Sequence, residues 1–462
     1  MTDLVLGVDS STQSCKALVV DAADGTIVDL QQVAHPDGTE VDPSAWDKAF
    51  AEAAAPQLSR VKAVAIGGQQ HGMVCLDAED RVVRPALLWN DTRSAPQAAE
   101  LIAELGGPEE SARRTGSVLV PSITSTKLRW LAENEPENAQ RTATVLLPHD
   151  YLTWKLQADS RRFVTDRSEA SGTGYFSPQL DGWDTELVEM ALGKVPRLPE
   201  IVAPEAAAGE TAAGVILGAG MGDNAAAALG LDLQPGQVLV SLGTSGVAST
   251  VAEAPVADPT GMVAGFADAT GRWLPISVTL NCARILQFAR RLLGVDNDRL
   301  AELALAAPAG ANGTVLLPYL DGERTPNRPN ARGTLHGLTT ATTPEDIARA
   351  AFEAMLCSVA DEIQALDRLT GRPTTSVMMI GGATRSPAVK EIAPAVLGMS
   401  VSLPADGEYV ARGAARQAAW ALSGKAEPPQ WPQPDSETHT AEATPEVLQA
   451  YRQVRDLTED WT

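Results

Sequence analysis

The chain opens with an apolar run, Leu4 to Asp9, that ends in an acid. A turn of small and hydroxylated residues follows at Ser10-Ser11-Thr12-Gln13-Ser14, then a second apolar run from Ala17 to Asp21. Asp24-Gly25 is a hairpin signal before Thr26-Ile27-Val28, so the pattern predicts strand, turn, strand, turn, strand. The same pattern returns in mid-chain. Gln237 to Ser241 reads as a strand, Gly243-Thr244-Ser245-Gly246 as a small-residue turn, and Val247 to Val251 as the next strand. A recurring supersecondary pattern points to duplication, with two domains of one architecture, and places a boundary near Leu233 to Gln237.

Other elements follow from the same reading. Val61 to Gly67 and Thr144 to Leu147 are apolar strands, and Arg129 to Asn134 is helical. From Asp346 to Leu366 apolar residues recur at helical spacing (Ile347, Ala351, Met355, Val359, Ile363), with Pro344 and Glu345 placed as helix-start residues. Ser376 to Ile380 is a strand that runs into Gly381-Gly382 and a helix from about Pro387. The expected division is residues 1–234 and 235–425 as two domains. Residues 426–462 form a Pro-rich linker, Glu427 to Pro432, and a final amphipathic helix near Pro445 to Leu457.

Composition narrows the partners. The 462 residues are 44% hydrophobic, enough for sizeable cores, and only 4% aromatic, so those cores should be aliphatic. A formal net charge of −23 repels phosphate backbones and argues against nucleic acid. An anionic ligand would need backbone N–H groups, helix N-termini and a divalent cation rather than a basic field. Cys15, Cys75, Cys282 and Cys357 lie far apart without metal-ligand spacing and read as buried, reduced thiols. With no signal peptide pattern and no long apolar span, the expectation is a soluble, cytoplasmic protein without a membrane partner.

Four clusters carry candidate chemistry. The turns at Ser11-Thr12-Gln13 and Gly243-Thr244-Ser245 expose backbone N–H groups and hydroxyls suited to phosphate oxygens, and Asp9 stands where an acid could orient the hydration shell of Mg²⁺. Met221-Gly222-Asp223-Asn224 leads from a Gly-rich stretch into an alanine-rich helix. There Asp223 reads locally as a helix cap, favoured as the ionised carboxylate, or as a proton acceptor for a hydroxyl. Gly381-Gly382-Ala383, between strand and helix, lets a flat ligand such as adenine lie on backbone, or simply starts the helix. Gly67-Gly68-Gln69-Gln70-His71-Gly72 and Trp89-Asn90-Asp91-x-Arg93 supply the directed donors, acceptors and aromatic wall that sugars need. A structural histidine at 71 and a core anchor at Trp89 are the alternatives.

Taken in order, these clusters resemble the FGGY family of carbohydrate kinases, over nearly the whole chain. Ser122-x-Thr124-x-x-Lys127-Leu128-x-Trp130-Leu131-x-Glu133-Asn134 fits one long family signature. Gly333-x-Leu335-x-Gly337-Leu338 followed by Asp346-Ile347-x-x-Ala350-Ala351-Phe352-Glu353 fits the other. Leu317-Pro318-Tyr319-Leu320-x-Gly322-Glu323-Arg324-Thr325-Pro326 is similar to the family's loop before it.

The resemblance implies two actin-like, RNase H-like α/β domains facing across a catalytic cleft, with ATP and Mg²⁺ as co-substrate and cofactor. It implies Asp223 as catalytic base and Asp9 as the acid near Mg²⁺. Ser11, Thr12, Gln13, Gly243, Thr244 and Ser245 would form the phosphate turns, and Gly381 with Gly382 the adenosine motif. Gln70, His71, Asn224 and Trp89 would meet the sugar. Gly68 to Gly72 resembles the Gly-Gln-Met-His-Gly of members that phosphorylate xylulose. The implied reaction is therefore D-xylulose to its 5-phosphate, with ribulose or an alditol such as arabinitol as other acceptors, and a non-catalytic actin-like ATP-binding protein as the reading outside enzymes. The resemblance also allows a homodimer. Two departures stand out: Ser11 where the family's first turn usually has glycine, and Gln70 where methionine is common.

Overall fold

The computed structural model describes residues 3–158 and 162–461. The chain forms two compact units. One comprises Met1–Asp232, Glu253–Leu274 and Glu408–Gln433; the other comprises Leu233–Ala252, Pro275–Gly407 and Pro434–Thr462.

The first unit is built on β1 (Leu4–Ser10), β2 (Ser14–Asp21), β3 (Ile27–Ala34), β4 (Ala63–Gly68), β5 (Gly209–Glu210), β6 (Ile216–Leu217) and β7 (Met221–Gly222), in the order β5-β6-β4-β1-β2-β3 with β7 also paired to β4. β1, β2 and β3 are antiparallel, whereas β4 lies parallel to β1, and β6 and β7 lie parallel to β4. Gly25, at φ +75°, makes the β2–β3 turn that Asp24-Gly25 signals. Parallel strands are normally covered on both faces, and β1 follows that rule. Leu6 and Val8 join a core with Trp46, Phe50 and Ile66, while Val5 joins Ala411, Ala415 and Ala418 of the helix Tyr409–Ser423.

The second unit repeats the pattern in β8 (Gln237–Leu242), β9 (Gly246–Thr250), β10 (Trp273–Thr279, of which Pro275–Thr279 falls in this unit), β11 (Ser376–Ile380), β12 (Val401–Pro404) and β13 (Ser436–His439). Their order is β10-β9-β8-β11-β12-β13. Again three strands pair antiparallel, and two more continue parallel from the first of them. The order β3-β2-β1-β4-β6 in one unit and β10-β9-β8-β11-β12 in the other is the duplication that the repeated strand–turn–strand pattern predicts.

Two details go beyond the sequence pattern. The helix expected from Arg129 begins earlier, at Thr124–Asn134, because Thr124 to Lys127 are buried and held by tertiary bonds: Thr124 Oγ1 to the carbonyl of His71 at 3.0 Å and Lys127 Nζ to that of Pro121 at 2.8 Å. The Pro-rich stretch is built into the fold. Trp431 is buried, donates from Nε1 to the carbonyl of Ala22 at 3.1 Å and lies under the Arg412 guanidinium. Among the described residues, no helix is long and apolar enough to cross a membrane.

Candidate active site

In the first unit the site is assembled by strand register. Asp9 of β1 and Met221 of β7 both align with Gly67 of β4, and Ser10 and Gly222 both align with Gly68. The carboxyl ends of three parallel-running strands therefore meet at one level, the place where ligands bind in open α/β sheets. The next residue after β7 is Asp223, which starts the helix Asp223–Gly230.

Asp223 is the first helical residue; Gly222 is the cap, without a side-chain bond. The helix-cap reading therefore gives way. Asp223 Oδ1 accepts from the Asn224 backbone N–H at 2.8 Å and from Asn224 Nδ2 at 3.0 Å. Burial of its carboxyl, and then the nearby Asp9 charge, push its pKa up to about 7. The expectation that the helix terminus favours the ionised form is corrected here: desolvation outweighs the terminus. A carboxyl poised near neutrality is suited to accept a proton.

Asp9 is buried, accepts from the Ser11 hydroxyl, and has Lys16 Nζ at 3.8 Å from Oδ2. Lys16 faces Asp9 across the β1–β2 pair and is held at 2.5 Å by Glu408. Burial raises the Asp9 pKa, opposed by Ser11 and Lys16. Ser11 does not adopt the left-handed backbone, so serine fits this turn, and its hydroxyl is committed to Asp9. His35 braces the same turn: its Nδ1 meets the Ser11 carbonyl at 2.9 Å and its N–H donates to the Gln13 carbonyl at 2.8 Å. Among the described residues no group of three His, Cys, Asp or Glu side chains could cage a metal ion. A single carboxylate fits Mg²⁺, which keeps waters and takes phosphate oxygens as its other ligands.

The predicted sugar residues gather around the same level. Gln70 Nε2 donates to the Ser168 carbonyl at 3.3 Å, and Gln70 Oε1 accepts from Asn224 Nδ2 at 3.3 Å. The Gln70 side chain is thus part of the framework. His71 has φ +69°, a strained backbone for a non-glycine residue, and its Nδ1 lies 2.6 Å from the Gly172 carbonyl. Trp89 is 43% exposed and so is no core anchor; its Nε1 donates to Thr12 Oγ1 at 2.8 Å, linking the aromatic wall to the first turn. Behind Asp223 lies a fully buried group. Burial works against charge on His149, but Asp150 and Asp166, each 3.4 Å away, raise its pKa. Burial, and then Asp150, Asp166 and Asp223, push Glu169 well above the usual carboxylate range.

In the second unit, Ser241 of β8 aligns with Ile380 of β11, so the turns Gly243–Ser245 and Gly381–Gly382 leave the sheet at the same edge. Gly243, Thr244 and Gly382 line one pocket of about 470 Å³, with Leu286, Phe352 and Asp298 among its walls; Ser245 and Gly381 are outside its lining. The carbonyls of Gly243 and Thr244 accept from Ala283 N–H at 2.9 Å and Cys282 N–H at 3.2 Å. Gly381 has φ +100°, and a Cβ there would stand 2.8 Å from the Leu242 carbonyl oxygen; nothing would meet a Cβ at Gly382. Gly381 is required by the turn, and Gly382 is the open one.

Sequence reasoning passed over Lys16, Glu408, His35, Ser168 and Gly172. Lys16 carried a signal, a single cation inside the apolar strand Ser14–Asp21. The others carried none, since Glu408 reaches Lys16 across 392 residues and the rest act through main-chain bonds.

Residues 4–231 match the FGGY family of carbohydrate kinases, N-terminal domain, and residues 238–422 match its C-terminal domain. The chain belongs to the FGGY family of carbohydrate kinases. Among its relatives, it is 45% identical over 437 residues to the xylulose kinase of Streptomyces coelicolor, covering 91% of this chain and 89% of that one. To the xylulose kinase of Escherichia coli it is 34% identical over 440 residues, covering 90% and 89%. The crystal structure of xylulose kinase from Bifidobacterium adolescentis matches with a TM-score of 0.93 and 46% identity, covering 98% of this chain and 99% of that one. The two-unit α/β architecture is the actin-like fold of such kinases.

Proposed function

We propose that this chain transfers the γ-phosphoryl group of ATP to the terminal 5-hydroxyl of D-xylulose, giving D-xylulose 5-phosphate. The observation that carries this reading is Asp223: a carboxyl with its pKa pushed up to about 7, at the end of the parallel strands, among Gln70, Asn224 and Asp9. The similarity to xylulose kinases supports the choice of sugar.

In this reading the first unit takes the sugar against Gln70, His71, Asn224 and Trp89, and Asp223 accepts the proton of the attacking hydroxyl. The second unit takes ATP, with adenosine against Gly382 and phosphates on Gly243 and Thr244. Ser245 and Gly381 shape the turns from behind. Thr12 offers its hydroxyl, and Ser11, Thr12 and Gln13 their backbone, to the transferring group, and Lys16 supplies a positive charge beside them. Mg²⁺, oriented through Asp9, would neutralise charge on the phosphate oxygens.

A panel of D-xylulose, ribulose and arabinitol in a coupled ADP-release assay with ATP and Mg²⁺ tests this. D-xylulose should give the highest kcat/KM. A higher value for another acceptor would reassign the substrate, and no sugar-stimulated ADP release would end the kinase reading. The ATP arm has its own test. Gly381→Ala forces a side chain onto φ +100° and the Leu242 carbonyl. Its KM for ATP should rise about tenfold, about 1.4 kcal/mol, within the range of backbone strain, with the sugar KM unchanged. An unchanged ATP KM would separate Gly381 from the nucleotide site.

A further inference from the structure

Five hydrogen bonds form a closed ring around Asp223. The Gly222 N–H donates to Ser168 Oγ at 3.0 Å. Gln70 Nε2 donates to the Ser168 carbonyl and Asn224 Nδ2 donates to Gln70 Oε1, both at 3.3 Å. Asn224 Nδ2 and its backbone N–H both donate to Asp223 Oδ1, at 3.0 and 2.8 Å. The ring closes through the chain from Asp223 back to Gly222.

Ser168 is the fixed point of this ring. It is fully buried, in the short helix Arg167–Ser171. That helix is held on three sides. Asp166 accepts from the Ser168 and Glu169 N–H groups at 2.7 and 3.0 Å. Ser171 Oγ donates to the Ser168 carbonyl at 2.8 Å and accepts from Ala267 N–H at 2.9 Å. The Gly172 carbonyl beyond it meets His71 Nδ1. A Cβ on Gly222 would lie 2.7 Å from Gln70 Cγ, so the ring has no slack at that corner.

We infer that Ser168 is a positioning residue for phosphoryl transfer, its hydroxyl holding Gly222 and thereby the direction in which Asp223 presents its carboxyl to the sugar. This rests on the reading of Asp223 as the base. Ser168 does not touch the reacting atoms. Its bond to Gln70 is made by the backbone carbonyl, so truncation to alanine removes the Oγ–Gly222 contact and leaves the carbonyl in place. Small displacements of a reacting group are costly to rate, so the effect belongs in kcat.

The experiment compares wild type, S168A, S168T, D223N and the S168A/D223N double variant, with D-xylulose, ATP and Mg²⁺, alongside thermal melting. For S168A, kcat should fall about tenfold or more while the KM for ATP stays within about twofold. S168T, which keeps the hydroxyl, should restore kcat to within about threefold of wild type. The double variant should be no slower than D223N alone, because a group that acts through Asp223 has nothing to act on once the base is gone. Should S168A fail to yield folded protein, S168C, with a weak acceptor at the same atom, should lie several-fold below wild type by the same logic. D223N with wild-type kcat would overturn the base assignment itself. D223N slow with S168A as fast as wild type would overturn only the role of Ser168. So would folded S168T as slow as S168A, or a double variant slower than D223N by the full S168A factor.

Discussion

Asp223→Ala should lower kcat by at least ~10²-fold, the low end for loss of a general base, while the protein stays folded. Asp223 stands at the end of the parallel strands with its pKa pushed up to about 7. Burial and neighbouring acids push the Glu169 pKa well up, and the side chain is fully buried. Asp9 is engaged by Ser11 and Lys16. Asp223, with a pKa pushed to about 7, can both lose and regain a proton near neutrality, and Asp150, also raised, lies fully buried behind it. The same value sets a pH dependence. In the proposed mechanism the active form is the deprotonated carboxylate, so kcat/KM for the sugar should rise as pH rises through 7 and level off above it. At pH 6 it should be about tenfold below the plateau, since about one site in eleven is then ionised. A flat profile between pH 6 and 8 would contradict the assignment, as would near-wild-type turnover in the alanine variant.

Gly413→Ala should be among the most destabilising single changes in the first unit. A Cβ at Gly413 would lie 1.9 Å from the Ala226 carbonyl oxygen, on the helix that begins at Asp223. Glycines meet backbone at two neighbouring contacts of the same helix Tyr409–Ser423: Gly7 faces the Ala411 carbonyl and Gly230 the Tyr409 carbonyl, at 1.9 and 2.2 Å for an added Cβ. No side chain can swing aside here, because the obstruction is backbone. The cost should be about 3 kcal/mol or more, the upper end of overpacking, and the melting temperature should fall by about 5 °C or more. Gly424→Ala is the control. Its φ is left-handed, +59°, unlike that of Gly413, but nothing stands within 4 Å, so it should cost only about 1 kcal/mol of backbone strain. Equal melting temperatures for the two variants would refute the close-packing argument. The surviving folded fraction of Gly413→Ala should also lose kcat, because the displaced helix carries Asp223.

The two-unit architecture was legible because its signal is local. Strand, small-residue turn and strand repeat at Leu4 to Asp21 and at Gln237 to Val251, and the structure forms both as antiparallel pairs. Much of the site was legible for the same reason. Asp9 stands near the end of its strand, and Asp223 and the two turns each follow a strand directly, so their placement at the end of the sheet comes with the strand. The Pro-rich stretch misled because prolines mark a break in regular structure but say nothing of burial; Trp431 packs into the first unit regardless.

The amino-acid sequence by itself thus determined where strands end and which polar groups stand at those ends, since both follow from short-range alternation and turn chemistry. Only the tertiary structure decided the state of those groups. Asp223 looked like an ionised helix cap, and became a carboxyl near neutrality when burial and Asp9 were brought to it. Ser168 had no signal at all until folding set its hydroxyl against Gly222, 54 residues away. Proton affinity and hydrogen-bond direction depend on what surrounds an atom in space, and that neighbourhood is assembled only when distant segments pack.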